Sequence, residues 1–193
     1  MLKRLLLLSA ILSILFATTT QAATVLQLEP MGGAISGLPG STIGWGFNLS
    51  NTENYLVVTS AAFESATTLG TFTDFISASN FFVVGPAPNA STVWAQTFNA
   101  TTQTGIGSFT IDPGAAWSSV ANGQIILSYD LFSRSPVDAL FNPDTDTLSN
   151  GNLLTASASV TVVPLPAAVW LFGSALVGLA GFARRRPAYA LAA

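Results

Sequence analysis

The chain has 193 residues, of which 50% are hydrophobic and only 8% charged, and its net charge at pH 7 is −3. It contains no cysteine and no histidine. These absences exclude Cys and His nucleophiles, Ser-His-Asp triads, structural zinc sites, and haem ligation by either residue.

The N-terminus has the pattern of a secretory signal peptide. Lys3 and Arg4 form a positive start, residues 5–16 are apolar, and a short stretch of small and polar residues follows. Such a segment is too short and wrongly flanked for a lasting transmembrane helix. We expect cleavage after Ala22, or else after Ala23, so that residues 1–22 are a removed signal peptide.

The middle of the chain, residues 23–162, is long enough for one domain with its own core. All nine acids lie there, against Arg134 as the single basic residue, so this part carries a charge of −8. A surface that acidic repels DNA, RNA and anionic lipid head groups, and we expect no nucleic-acid partner. The absence of lysine also excludes Schiff-base and Ser-Lys chemistry in this part of the chain.

Alternation with a period of two predicts β-strands throughout the middle. It is cleanest in Thr42–Ser50, where Trp45 and other large apolar residues alternate with small and polar ones. The same alternation recurs in residues 124–132 and 154–162. Shorter candidate strands are residues 24–28, 55–60, 80–84, 92–98 and 105–111.

Turn signals between these strands, such as Pro39-Gly40 and Asn122-Gly123, predict an all-β fold, namely an antiparallel β-sandwich. No long amphipathic helix is predicted, although residues 61–68 or 114–120 suit a helical turn. Long strands with unpaired edges are liable to pair with another chain, so self-association is an expected property.

The carboxylates raise two chemical alternatives. Asp144, Asp146 and Asn150 suggest a weak calcium-loop candidate, but Leu148 stands where a polar ligand is needed and the distal Glu is missing. We expect a solvated turn there, with no metal and no cofactor. A glycosidase needs two acids about 5–10 Å apart, and no local motif brings two together convincingly, so we expect no enzyme and no catalytic residues.

Three tryptophans of the middle differ in their predicted positions. Trp45 falls on the apolar face of its strand and is predicted to be a core residue. Trp94 shares a strand face with Gln96 and Phe98, which leaves its position open. Trp117 falls in a loop, so we expect its ring to be exposed. Trp94 and Trp117 together form the candidate ligand surface.

The segment of residues 163–186 has the pattern of a membrane-targeted element. Pro164 and Pro166 lie just before a predicted helix start, where prolines are tolerated. Residues 167–183 carry no charge and would span about 26 Å as a helix, at the short end for a bilayer core. We predict a single transmembrane helix over these residues.

Individual residues of this helix suit a membrane position. Trp170 lies near its start, as an interfacial aromatic residue does. Gly173 and Gly178 lower the helix propensity and permit close helix contact. The basic stop at residues 184–186 stays in the cytoplasm by the positive-inside rule, with residues 187–193 as a short cytoplasmic tail.

This C-terminal segment also carries a family resemblance. Its residues are Val163-Pro164-Leu165-Pro166, the uncharged stretch that follows, and Arg184-Arg185-Arg186. The run resembles the PEP-CTERM sorting signal of Gram-negative bacteria, with Leu165 where the name-giving motif has Glu and with a tail longer than is usual. The Gly44-Trp45-Gly46-Phe47 run also resembles the ectodomains of some members, which are of uncharacterised type.

The resemblance implies recognition by an exosortase, a multispanning membrane enzyme of the cysteine transpeptidase type, and processing near residues 163–166. It implies export across the inner membrane, a transient anchor there, and then the cell surface or extracellular matrix. We therefore expect a structural or adhesive role in exopolysaccharide or biofilm, with matrix components as partners. The alternatives are an extracellular carbohydrate-binding module and, more distantly, a carboxylate-dependent glycoside hydrolase.

Overall fold

The computed structural model describes residues 24–79, 82–164 and 167–184. The predicted signal peptide with Ala22 and Ala23, the signal residues Leu165, Pro166, Arg185 and Arg186, and the tail all lie outside the described residues.

The described part of the chain is mostly β-strand, with few helices, so the all-β class is confirmed. The helices are α1 (Ile76–Ser79), α2 (Pro143–Asp146) and α3 (Ala167–Arg184). The strands are β1 (Val25–Glu29), β2 (Ala34–Gly37), β3 (Thr42–Ser50), β4 (Tyr55–Ser65), β5 (Gly70–Asp74), β6 (Val83–Val84), β7 (Val93–Gln96), β8 (Gly107–Ile111), β9 (Val120–Phe132) and β10 (Thr147–Val162).

These strands form two five-stranded sheets. The first has the order β1-β3-β8-β5, and β7 also pairs with β3. The second has the order β2-β10-β9-β4-β6. In the second sheet β10 follows β9 without a break from Asn152↔Tyr129 to Thr161↔Val120.

The prediction of a purely antiparallel arrangement is wrong at β2, which runs parallel to β10. The chain leaves β1 in the first sheet through a turn at Gly32 and Gly33, both with positive φ, and enters the second sheet as β2. A side chain on Gly33 would overlap the carbonyl oxygen of Ser157, so glycine is required for this close crossing. As a result, β2 pairs with the edge of β10 and runs parallel to it.

Other differences from the prediction also arise from pairing between segments that are far apart in the sequence. Strands β2 and β5 were not predicted, because each is short and buries few side chains. The helical turn predicted at residues 61–68 is wrong at residues 61–65, which extend β4, since β9 offers a partner along that whole length. At residues 114–119 the described chain forms turns without a helix. Of the strand predicted at residues 80–84, only Val83–Val84 is described as a strand.

One hydrophobic cluster contains buried residues from both sheets. The Trp45 ring of β3 is fully buried and lies 5.2 Å, between centroids, from the Phe63 ring of β4 in the other sheet. Phe63 also meets Phe109 of β8 edge-on at 5.6 Å. Trp45 Nε1 donates a hydrogen bond of 2.8 Å to the carbonyl oxygen of Gly33, so its polar atom is paired. The prediction that Trp45 is a core residue is confirmed.

The glycines that alternate with these aromatic residues have a structural reason. The segment after β7 lies across the outer face of β3. A side chain on Gly44 would overlap the Phe98 ring, and one on Gly46 would come 2.7 Å from the carbonyl oxygen of Gln96. The alternation of glycine and aromatic residues in β3 therefore packs the core on one face and admits a crossing segment on the other.

Candidate functional site

The junction between the domain and the predicted sorting signal is fixed by backbone hydrogen bonds. Val162 is fully buried; its N–H donates to the carbonyl oxygen of Ser119, and its own carbonyl accepts from the N–H of Ser118, both at 2.9 Å. The N–H of Val163 donates to the carbonyl oxygen of Gly37 at 2.9 Å. The folded domain therefore holds the chain up to the first residue of the predicted signal.

Beyond the junction, α3 begins at Ala167, as the sequence predicted for the helix, and contains Trp170, Gly173, Gly178 and Arg184. The side chains of residues 171–181 are exposed. Among the residues that the structure describes, no helix is long and apolar enough to cross a membrane. The crossing predicted for residues 167–183 stays a prediction.

Trp117 lies beside this junction, in the loop of residues 112–119 between β8 and β9. Its side chain is 53% exposed, which confirms the predicted exposure of the ring. The next residue, Ser118, has a left-handed φ of 64°, and its N–H bonds the carbonyl oxygen of Val162. The loop is thereby held against the end of β10, and the exposed side chains of Leu38 and Val120 belong to the same end of the domain.

Trp94 lies at the other end. It pairs with Leu49 near the end of β3, and its ring stacks on Phe82 with centroids 5.1 Å apart; the side chain is 36% exposed. The loop with Trp117 begins after Ile111, which bonds the residue just before β3. About eight residues of extended β3, roughly 27 Å, therefore separate Trp94 from the start of the loop that contains Trp117. Trp94 and Trp117 therefore do not form one binding platform.

The calcium candidates are spread over two elements. Asp144 and Asp146 lie in α2, and Asn150 lies in β10. The Asp146 carboxylate is 3.5 Å from Nε of Arg134 and accepts a 2.9 Å hydrogen bond from the backbone N–H of Asn142. Within the described ranges, no group of three or more His, Cys, Asp or Glu residues could hold a metal ion. The carboxylate of Asp146 therefore pairs with Arg134 and accepts a hydrogen bond at the start of α2.

Arg134 is at the centre of a polar network that the sequence did not reveal. Its guanidinium also lies 4.0 Å from Asp138, whose other carboxylate oxygen accepts a 3.0 Å hydrogen bond from the side-chain amide of Asn89. The buried Ser135 hydroxyl donates to the carbonyl oxygen of Asn89 at 3.3 Å. The network ties the loop after β9 to the loop after β6. The only sequence signal was that Arg134 is the sole basic residue of the domain.

Two surface grooves do not coincide with the tryptophans. One of about 760 Å³ lies between the edges of β1 and β10, beside the fully exposed Met31. The other, of about 630 Å³, lies beside α1 and is lined in part by Phe132 and Phe141. Neither groove is lined by Trp94 or Trp117.

Neither a protein-family model nor a curated protein matches this chain.

Proposed function

We propose that this chain is an exported bacterial surface or matrix protein, sorted and processed at its C-terminus by an exosortase. The observation that carries the proposal is the run of residues 163–186, with its paired prolines, uncharged stretch and three arginines. In this role the domain is a structural or adhesive component of exopolysaccharide or biofilm.

The arrangement of the junction supports this proposal. The last buried residue of the domain is Val162, so processing at residues 163–166 would leave the core whole. The side chains of residues 171–181 are exposed and contribute nothing to that core. A segment that lies outside the domain core can be removed without unfolding the domain, as a sorting signal requires.

We further propose that the two sheets close as a β-sandwich. The contact of Trp45 and Phe109 with Phe63 of the opposite sheet supports closure. The order β1-β3-β8-β5 against β10-β9-β4 corresponds to the two sheets of the constant-type immunoglobulin sandwich. That architecture carries many unrelated functions, so the argument for a matrix role depends on the surface and the C-terminal segment.

The outer face of the second sheet supports a matrix role. It presents many uncharged hydroxyl and amide groups beside the apolar Ile126 and Leu153, and its acids Glu64 and Asp130 lie toward opposite margins. Such groups exchange hydrogen bonds with sugar hydroxyls and do not require a charged polysaccharide. The residues concerned are Thr155, Ser157, Ser159 and Thr161 of β10 and Asn122, Gln124 and Ser128 of β9.

A carbohydrate-binding module is the second candidate, favoured by the exposed ring of Trp117. Trp94 does not extend this surface, because its ring stacks on Phe82 at the other end of the domain. Titration with oligosaccharides distinguishes the two functions. A saturable shift of tryptophan fluorescence that is lost in Trp117→Ala supports the module, whereas the matrix role predicts self-association without a saturable small-sugar site.

Intact mass of the protein from its native host, measured in each cell fraction, tests the sorting proposal. We expect a C-terminus near residues 163–166, with or without an added group, in the surface or extracellular fraction. A mass that runs through Arg186 to Ala193 and stays in the inner-membrane fraction would overturn exosortase processing. Replacement of Pro164 and Pro166 by Ala should block processing, and the same change at Pro113 provides the control.

A further inference from the structure

The two ends of the domain differ in charge. We call the end that contains the C-terminal junction the exit end; it consists of residues 38–41, residues 112–119 and the adjoining ends of β9 and β10. Its loops contain one acid, Asp112. The connections at the opposite end, including α2, contain the acids Glu53, Asp138, Asp144 and Asp146, with Arg134 as their one base. The 13 residues of β9 run between the ends, a distance of roughly 40 Å.

Trp117, Val120 and Leu38 are exposed apolar side chains on the exit end. The opposite end also exposes apolar residues, Val137 and Leu140 among them, but there they lie in the same connections as most of the acids. The rest of the loops of the exit end are short and uncharged apart from Asp112, and include Pro39 and three further small or rigid residues, Pro113, Gly114 and Ala115. An apolar end with one carboxylate suits a neutral interface better than a strongly anionic surface.

The chain length at the junction keeps this end close to α3. Val163 is fixed to Gly37 by its N–H, and only residues 164–166 lie between it and Ala167. Four residue steps cannot span more than about 14 Å. The head-group region on one side of a bilayer is roughly 5–8 Å thick. If α3 enters the bilayer, the exit end must therefore lie at or within a few ångströms of the lipid head groups.

We propose that, in the anchored chain, the exit end rests on the membrane surface, with the Trp117 ring among the lipid head groups. The inference depends on the proposed function, since it requires α3 to be in the bilayer. Tryptophan favours this interface because its ring is apolar and its N–H can still find a polar partner. The acids of the opposite end lie several Debye lengths of about 8 Å away, so their repulsion from anionic lipids is screened.

In this arrangement Trp117 contacts the membrane while the chain is still anchored by α3. It orients the domain so that residues 163–166 lie at the membrane surface, where a membrane-embedded processing enzyme can reach them. After processing, the same ring is left exposed on the released domain.

Bromolipid quenching tests the inference on the anchored chain, purified from a host that exports it but lacks an exosortase. One reporter carries Trp94→Phe and Trp170→Phe, which leaves Trp117 and the buried Trp45. The matched control carries Trp117→Phe and Trp170→Phe, which leaves Trp94 and Trp45. Both are reconstituted in phosphatidylcholine vesicles whose lipids carry bromine near the head-group end of the acyl chain.

We expect both proteins to co-sediment with the vesicles and the Trp117 reporter to be quenched at least about threefold more strongly than the Trp94 control. Co-sedimentation with equal quenching overturns the membrane contact and leaves the sorting proposal intact. Failure of both proteins to co-sediment overturns the anchor and the membrane contact together, whatever the mass measurement gives for processing.

Discussion

The β-domain and the C-terminal helix place their apolar residues in opposite relations to solvent. In the domain, Trp45, Phe47 and Leu49 are fully buried in a cluster that draws on both sheets. On α3, Phe172 and Val177 are exposed, with no domain core beneath them. Folding stability therefore resides in the domain, while the helix needs an environment that the domain does not provide.

The largest effect is expected at the centre of the domain. Trp45→Ala removes a fully buried ring and leaves the carbonyl oxygen of Gly33 without its partner. We expect a loss of roughly 3–5 kcal/mol in the free energy of unfolding, measured by urea titration with circular dichroism. Trp117→Ala is the control and should cost roughly half of that loss or less, because the residue is 53% exposed. Similar losses in the two variants would contradict the assignment of the core.

A smaller effect is expected on the outer face of β3. Gly46→Ala places a methyl group against the carbonyl oxygen of Gln96, which cannot withdraw without moving the backbone. We expect a loss of about 1–3 kcal/mol. Gly114→Ala is the matched control, since nothing lies within 4 Å of a side chain added there. Equal stability of the two variants would show that the crossing segment is not packed on β3.

The Arg134 network should contribute less to the free energy of unfolding than the packing at Gly46. Arg134→Met removes the partner of Asp138 and Asp146, and we expect a loss near 1 kcal/mol, because the guanidinium is partly exposed and the pairs are not in close contact. The loss should shrink as salt is raised from about 0.05 to 0.5 M. Asp144→Asn, outside the ion pairs, is the control. A loss that does not depend on salt would point to packing of the side chain instead.

The smallest effect is expected from removal of the helix. A chain that ends at Pro164 keeps every buried residue of both sheets and the bond from Val163 to Gly37. Its free energy of unfolding should differ from that of the longer chain by less than about 0.5 kcal/mol. A chain that ends at Val160 loses the buried Val162 and should be destabilised by about 1–3 kcal/mol. A large loss on removal of α3 alone would overturn the division between domain and helix.

The fold was predictable where the pattern was local. The bounds of β3 agree with the prediction at Thr42 and Ser50, because strict alternation of large and small residues identifies a strand buried on one face. The four residues of β2 contain a single buried side chain, Ile35, so no alternation marks them. The parallel pairing of β2 with β10 joins residues more than a hundred positions apart, and no local pattern encodes it.

The features of the candidate site also differ in whether a local sequence pattern predicts them. The exposure of Trp117 followed from its loop of proline, glycine and alanine, which offers no apolar face to bury it. Its distance from Trp94 depends on the register of β7 and β8 against β3, which the sequence does not specify. The association of Arg134 with Asp146 likewise depends on how the two ends of the connection between β9 and β10 return to each other.

The attachment of β10 has a mechanical consequence. The chain leaves the domain at Val163, at the end of a strand that is paired with β9 without a break from Asn152 to Thr161 and with β2 on its other edge near its end. The bonds between strands lie across the strand direction. Tension applied at Val163 along β10 therefore loads many of these bonds together in shear and does not open them one after another. A domain tethered at this point resists a pull at its attachment more strongly than one whose terminal strand can be peeled from the end.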